Sequence, residues 1–212
     1  MKIKIAIGIP TFGVVKTLTF LSVLETVNAN KDINFFPITR TGSYINDNKE
    51  EIVSIAQKQL CSHVWFVDYD LEFDKLALPF LLAADKDIIG ASYNFREYPI
   101  HSMVKLFISD GKTMNDKTIV RVEENMPITD NEVEKLPEKT FEAFGIPGGF
   151  MLVKMSVFGK MKPPYFPMGY DKDTGRVQIS EDFGFCMKAR EYGFKIWCDP
   201  TIKLYHWGEH RF

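Results

Sequence analysis

His63-Val64-Trp65-Phe66-Val67-Asp68-Tyr69-Asp70 is an apolar run that ends in two carboxylates. It predicts a strand over His63–Val67, with the acids at its carboxyl end, where open α/β sheets bind ligands. Residues two apart on an extended chain point the same way. Asp68 and Asp70 can therefore address one hard cation or the phosphates bound to it. A bare D-x-D also fits an ordinary strand-ending turn, and the sequence has two further copies, Asp85-Lys86-Asp87 and Asp171-Lys172-Asp173. Neither follows a buried strand, so both are read as solvated turns, and the pair at 68 and 70 as functional.

Outward from this run, strand and helix patterns alternate. Residues 3–9 and 33–38 predict strands. Residues 14–27 carry Leu18, Leu21, Val23, Leu24 and Val27 at helical spacing. A helix is expected over 47–60, with Asp47, Glu50 and Glu51 in its first turn and Ile52, Ile55, Ala56 and Leu60 facing inward. A helix at about 74–84 and a strand over 87–91 follow. This alternation argues for a parallel sheet covered by helices.

The second half loses the rhythm. Short strands are expected over 103–108 and 118–122, with a hairpin around Asp110-Gly111, then a polar loop over 123–139. A buried strand over 150–153 follows Pro147-Gly148-Gly149, and residues 163–175 predict a long flexible loop. Residues 180–192 predict a helix with Ser180 at its N-cap and Gly193 as its stop. Strands over 195–198 and 202–205 close the pattern, and the whole reads as one α/β domain.

The composition bounds the function. The chain has 212 residues, 45% of them hydrophobic and 25% charged, so it is long enough for a sizeable core and unlike a disordered chain. A net charge of −2 gives no general attraction to nucleic acid or an acidic membrane; a polyanion would have to be met by a metal or a few placed groups. The 18 Phe suggest a thick apolar core or an aromatic-lined cleft. Cys61, Cys186 and Cys198 form no CxxC pair and no even disulfide set, so structural zinc and a disulfide framework are not expected. No apolar run reaches the ~20 residues of a membrane span. The amino-terminal residues read as a strand ending at Pro10 and not as a signal peptide, so a soluble, cytoplasmic protein is expected. No P-loop and no G-x-G-x-x-G occurs, which leaves ATPase and dinucleotide readings without support.

Three further features carry chemistry only in combination. Glu181 and Asp182 open a helix, where the macrodipole favours acids in any protein. His206, in Leu204-Tyr205-His206-Trp207, is by itself as good a packing residue as a ligand. Gly148-Gly149 before a buried strand permits close approach of backbone to a ligand, or simply a tight turn.

Read in order, Ile9-Pro10-Thr11, Asp68-Tyr69-Asp70, Gly148-Gly149-Phe150-Met151-Leu152, Glu181-Asp182-Phe183-Gly184-Phe185-Cys186, Tyr192-Gly193-Phe194-Lys195-Ile196-Trp197 and His206 resemble the nucleotide-sugar-dependent glycosyltransferases of the GT-A fold. The type is family-2-like, of the small bacterial, phage or large-virus kind. The resemblance implies a single GT-A-type domain with a mixed, mostly parallel, Rossmann-like central sheet flanked by helices. Its nucleotide-binding half would be residues 1–100 and its acceptor and metal half 101–212, as a minimal enzyme or one domain of a longer polypeptide. It implies that Pro10 and Thr11 border the nucleoside and that Arg40, Asn46 and Lys49 contribute to base or ribose recognition. Many members have Arg-Asn where this chain has Asn48-Lys49. Asp68 and Tyr69 would meet the ribose or the metal's water shell, Asp70 and His206 would ligate the cation with Asp68 beside them, and Gly148 and Gly149 would approach the donor. Asp182, with Glu181 beside it, would serve as the base. The implied cofactor is Mn²⁺, or Mg²⁺, and the imidazole ligand favours the former. The implied donor is a UDP-sugar and the acceptor a hydroxyl of a glycan or glycoprotein, with no nucleic acid and no membrane span; inversion and retention both stay open. Two alternatives are a haloacid-dehalogenase-like phosphatase and a non-catalytic binder of sugar nucleotide or glycan. The phosphatase pattern expects its acids after the first strand and a small hydroxyl residue where this chain has Glu72.

Overall fold

The computed structural model describes residues 3–94, 102–104 and 137–208. In chain order its elements are β1 (Lys4–Thr11), α1 (Thr17–Ala29), β2 (Asn34–Thr41), α2 (Ile45–Lys58), β3 (His63–Val67), β4 (Leu71–Phe73), α3 (Ala77–Ala83) and β5 (Ile88–Ala91). Then come β6 (Phe141–Ala143), β7 (Phe150–Lys154), α4 (Met155–Lys160), β8 (Gly169–Tyr170), β9 (Val177–Ile179), α5 (Glu181–Glu191), β10 (Ile196–Asp199) and β11 (Leu204–His206). Seven strands form one sheet in the order β2-β1-β3-β7-β5-β10-β6. β1 runs parallel to β2 and β3, and β10 parallel to β5. β7 is antiparallel between β3 and β5, and β6 is antiparallel to β10. The fold is thus α/β, a mixed, mostly parallel sheet flanked by helices.

The strand sequences explain why both faces are covered. Ile5, Ile7 and Ile9 of β1 and Trp65 and Val67 of β3 enter one apolar cluster, while Ala6, Val64 and Phe66 enter another. Alternate side chains leave opposite faces of a strand, so continuous apolar runs need a layer on each side. α2 and α5 cover the second face with Ile52, Val53, Ala56, Phe185, Cys186 and Ala189. The phenylalanine surplus is spent partly here: Phe166 stacks on Phe185 at 5.0 Å and meets Phe66 edge-on at 5.5 Å.

α1 keeps only part of the expected amphipathic pattern: Val23 and Val27 pack against the core, but the leucines do not. Its buried residues are Thr19, Ser22 and Thr26, whereas Leu18, Leu21 and Leu24 are 36%, 42% and 42% exposed. The cause lies in what the helix covers. β4 pairs with β11 along one edge, and its other edge needs acceptors. The Ser22 hydroxyl accepts from the Phe73 amide at 3.1 Å, and Thr19 Oγ1 donates to the Tyr69 carbonyl at 3.0 Å. Ser22→Ala leaves that buried amide without its partner, and a loss of about 1–3 kcal/mol of stability is expected in urea titrations.

Short elements escaped the sequence patterns. β4, β6 and α4 are three, three and six residues long, too short to show a period. The stretch 163–175, expected as a loop, carries β8, which pairs with β9, and the Asp171 carboxylate accepts the amides of Asp173 and Thr174 between them. The strands expected over 103–108 and 118–122, the hairpin at Asp110-Gly111 and the loop over 123–139 fall wholly or partly outside the described residues. No helix among the described residues is long and apolar enough to cross a membrane.

Candidate functional site

The parallel strands β1, β3 and β5 end on one edge of the sheet. β7 runs the other way, with Phe150 opposite Val67, so the turn that precedes it reaches the same edge. The Asp68 amide donates to the Gly149 carbonyl at 2.7 Å. Tyr93, two residues beyond β5, donates its hydroxyl to Asp68 Oδ2 at 3.1 Å and accepts the Gly149 amide at 3.0 Å. A Cβ at position 149 would overlap both Asp68 Oδ2 and the Tyr93 hydroxyl, so only glycine fits. Burial and the neighbouring Asp68 charge push the Tyr93 phenol well above its ordinary value, which keeps it a donor. Burial also raises the Asp68 carboxyl, against the opposing pull of Lys49.

Past Asp70 the chain enters β4, where Leu71 lies opposite His206 of β11. The pairing is fastened at several points. The Trp207 amide donates to the Asp70 carbonyl at 2.9 Å, and its indole donates to Glu72 Oε2 at 2.8 Å. The Lys16 ammonium donates to the carbonyls of Trp207 and Gly208 at 2.9 and 3.2 Å. His206 Nδ1 stands 3.0 Å from the Asn94 carbonyl oxygen, which can only accept, so Nδ1 carries the hydrogen. Nε2 is 3.4 Å from Asp70 Oδ1, and both side chains are buried. With Nδ1 turned to a carbonyl, Nε2 is the ring atom presented to the Asp70 carboxylate.

That donor pair fits Mn²⁺ or Mg²⁺. One carboxylate and one imidazole leave positions open for water or phosphate oxygens. Asp68, expected as a third contributor, has its Oδ2 on Tyr93. Among the described residues no group of three or more His, Cys, Asp or Glu side chains gathers in a way that could hold a metal.

The acids of α5 reach the same edge. Ser180 has the extended backbone of an N-cap, but its hydroxyl donates to Asp182 Oδ1, and its oxygen accepts no amide of the first turn. Asp182 Oδ1 also accepts the Phe183 amide at 2.8 Å, and Oδ2 accepts the Gly148 amide at 3.1 Å. Glu181 Oε1 pairs with the Lys49 ammonium at 3.0 Å. Lys49 is 2% exposed, so the residue expected at a nucleotide surface lies beneath the acids. Burial would lower the lysine and raise the glutamate. Their pairing outweighs it, so the ammonium is held above its ordinary value and the Glu181 carboxyl below.

The remaining candidates spread around this centre. Pro10 and Thr11 end β1, and Thr11 Oγ1 accepts the amides of Gly13 and Val14 at 3.2 and 3.1 Å. Arg40 Nε stands 2.8 Å from Glu51 Oε2, and Asn46 bonds Asp47 in the first turn of α2. The Tyr69 ring meets Phe12 edge-on at 6.2 Å. Phe12, 61% exposed, lines an open hollow of about 190 Å³ with Thr41, Gly42 and Ser43 beyond the ends of β1 and β2. Neither Phe12 nor Tyr93 was singled out from the sequence. Both stand one or two residues past a strand end, the signal that would have found them.

No protein-family model and no curated protein sequence matches the chain. Among solved structures it is similar to A197 from STIV, at a TM-score of 0.60 and 15% identity, over 97% of this chain and 86% of that one. It also matches TarS 1-349 of S. aureus at a TM-score of 0.43 and 11% identity, over 93% of this chain and 58% of that one, too low to carry an argument. At these identities the likeness to A197 shows a shared fold and nothing of the chemistry.

Proposed function

We propose that the chain is a metal-dependent glycosyltransferase that moves a sugar from a nucleoside-diphosphate sugar, a UDP-sugar by the sequence resemblance, to a hydroxyl of a glycan or glycoprotein. The observation that carries this reading is the Asp70–His206 pair, facing each other at 3.4 Å on the carboxyl edge of an α/β sheet, with the glycine turn and the α5 acids on that edge. A divalent cation held by Asp70 and His206 would supply the positive charge that a diphosphate leaving group needs as the sugar–oxygen bond breaks. A net charge of −2 provides no such charge elsewhere in bulk. The Phe12 hollow offers an aromatic face to a nucleobase, and Asp68, steadied by Tyr93, is an acceptor for ribose hydroxyls. The Gly148-Gly149 turn lets Asp68, Tyr93 and Asp182 close together at that edge, around the donor sugar. Asp182, beside Glu181, would take the proton from the attacking hydroxyl.

A phosphatase reading gains nothing from the same residues. Glu72 stands where a hydroxyl side chain is required, and its carboxylate is spent on the Trp207 indole.

Thermal unfolding with UDP, GDP, CDP and ATP, each with and without Mn²⁺, tests the proposal. Ligand at ~100 times its Kd adds about 2.7 kcal/mol, a rise of several degrees. One nucleoside diphosphate is expected to give that rise only with Mn²⁺, and the matching nucleotide sugar to release it on incubation. No rise with any nucleotide would overturn the reading.

A further inference from the structure

Lys49 is one of the largest fully buried side chains of the molecule, and burying an ammonium is costly unless it is paired. The charged groups around it come from separate elements. Glu181 and Asp182 stand on α5, and Asp68 follows β3. The ammonium donates to Glu181 Oε1 at 3.0 Å, and it lies 2.6 Å from where a Gly148 Cβ would be, a point that is 2.9 Å from Asp182 Cβ. Its other neighbour is the Phe166 ring, 5.7 Å away. The side chain thus crosses from α2 to the junction of the glycine turn and the first turn of α5.

We propose that Lys49 is a positioning residue for the transfer step: through Glu181 it locks the first turn of α5 against the Gly148-Gly149 turn, and so holds Asp182 at the reacting edge without itself touching the nucleotide. The proposal rests on the glycosyltransferase reading. It differs from the nucleotide contact expected of Lys49 from sequence, because a ligand contact and a brace change different kinetic constants.

The test compares wild type, Lys49→Met and the double variant Lys49→Met/Glu181→Gln, which removes both members of the buried pair. Release of nucleoside diphosphate from the donor sugar is followed with Mn²⁺ present. Lys49→Met is expected to unfold at lower temperature, and the double variant to recover most of that loss. kcat of the double variant is expected to stay at least about 100-fold below wild type, the scale of a misplacement near 1 Å, with KM for the donor within about threefold. Recovery of kcat in the double variant would reduce Lys49 to a charge-compensating core residue and overturn the proposal. A raised KM with kcat unchanged would make it a nucleotide ligand and overturn it equally. Amide hydrogen exchange at Gly148 and residues 183–185 reads the brace without any substrate. Faster exchange there in the double variant supports the proposal, and unchanged exchange overturns it. If wild type turns over no nucleotide sugar, the glycosyltransferase reading fails and the exchange measurement still decides the brace.

Discussion

Asp70→Ala is expected to erase the Mn²⁺-dependent stabilisation by nucleoside diphosphate while leaving the ligand-free protein folded. Three observations make this the variant with the largest expected functional effect. The carboxylate is 2% exposed and has the His206 imidazole across from it, so it is one of two donors that a cation would share. The Asp70 backbone carbonyl, which the variant keeps, accepts the Trp207 amide and still ties the strands together. And one oxygen of Asp68, the nearest other carboxylate of the motif, already accepts from the Tyr93 hydroxyl. In calorimetric titration with Mn²⁺ and UDP, the variant should lose the whole of the metal-linked affinity. At ligand ~100 times the wild-type Kd this removes about 2.7 kcal/mol of apparent stability. Unchanged Mn²⁺-dependent affinity would move the cation site away from Asp70.

Gly149→Ala is expected to disable the same edge by a different route. The added methyl would occupy the space of Asp68 Oδ2 and the Tyr93 hydroxyl at once. Neither can retreat freely. Tyr93 is 3% exposed, and the residue at 149 sits in register beside β3 through its carbonyl bond to the Asp68 amide. Overpacking of this kind costs about 1–3 kcal/mol, read as a lower urea midpoint. Displacement of Asp68 and Tyr93 should abolish nucleotide binding in the fraction that folds. A variant that binds nucleotide with wild-type affinity would show that the turn can yield and that Asp68 contributes little.

The sheet was legible in the sequence wherever a strand is buried on both faces. Residues 63–67 are apolar without interruption after His63, and the strand has those same bounds. Helices were legible to within a few residues, as at Gly193, at φ +84° beyond α5, but Leu60, expected inward on α2, lies past the end of that helix at φ +54° and is 86% exposed. What could not be read is contact across the sheet. The antiparallel course of β7 decides that Gly148-Gly149 reaches Asp68, yet Phe150-Met151-Leu152-Val153 would look the same in either direction. Lys49 illustrates the same limit. A lysine on a helix reads as a surface charge, and only the crossing of α2 and α5 turns it inward. In α1 the pattern was right for Val23 and Val27, which pack inward, and misled for the leucines. Leucines at helical spacing point outward because the helix covers the polar edge of β4, which wants hydroxyls and not methyl groups.

The pairing of β4 with β11 has a consequence for the order in which the protein is made. Asp68, Asp70, Tyr93 and the glycine turn are all synthesised before His206, and β4 has its partner strand only once residues 204–206 have been added. Until then one donor of the proposed cation pair has been synthesised and the other is still unmade. The Lys16 clasp on Trp207 and Gly208 then joins an early loop to these late residues. In the proposed reading, competence for metal arrives with β11, and a chain that stops short of it lacks one of the two donors.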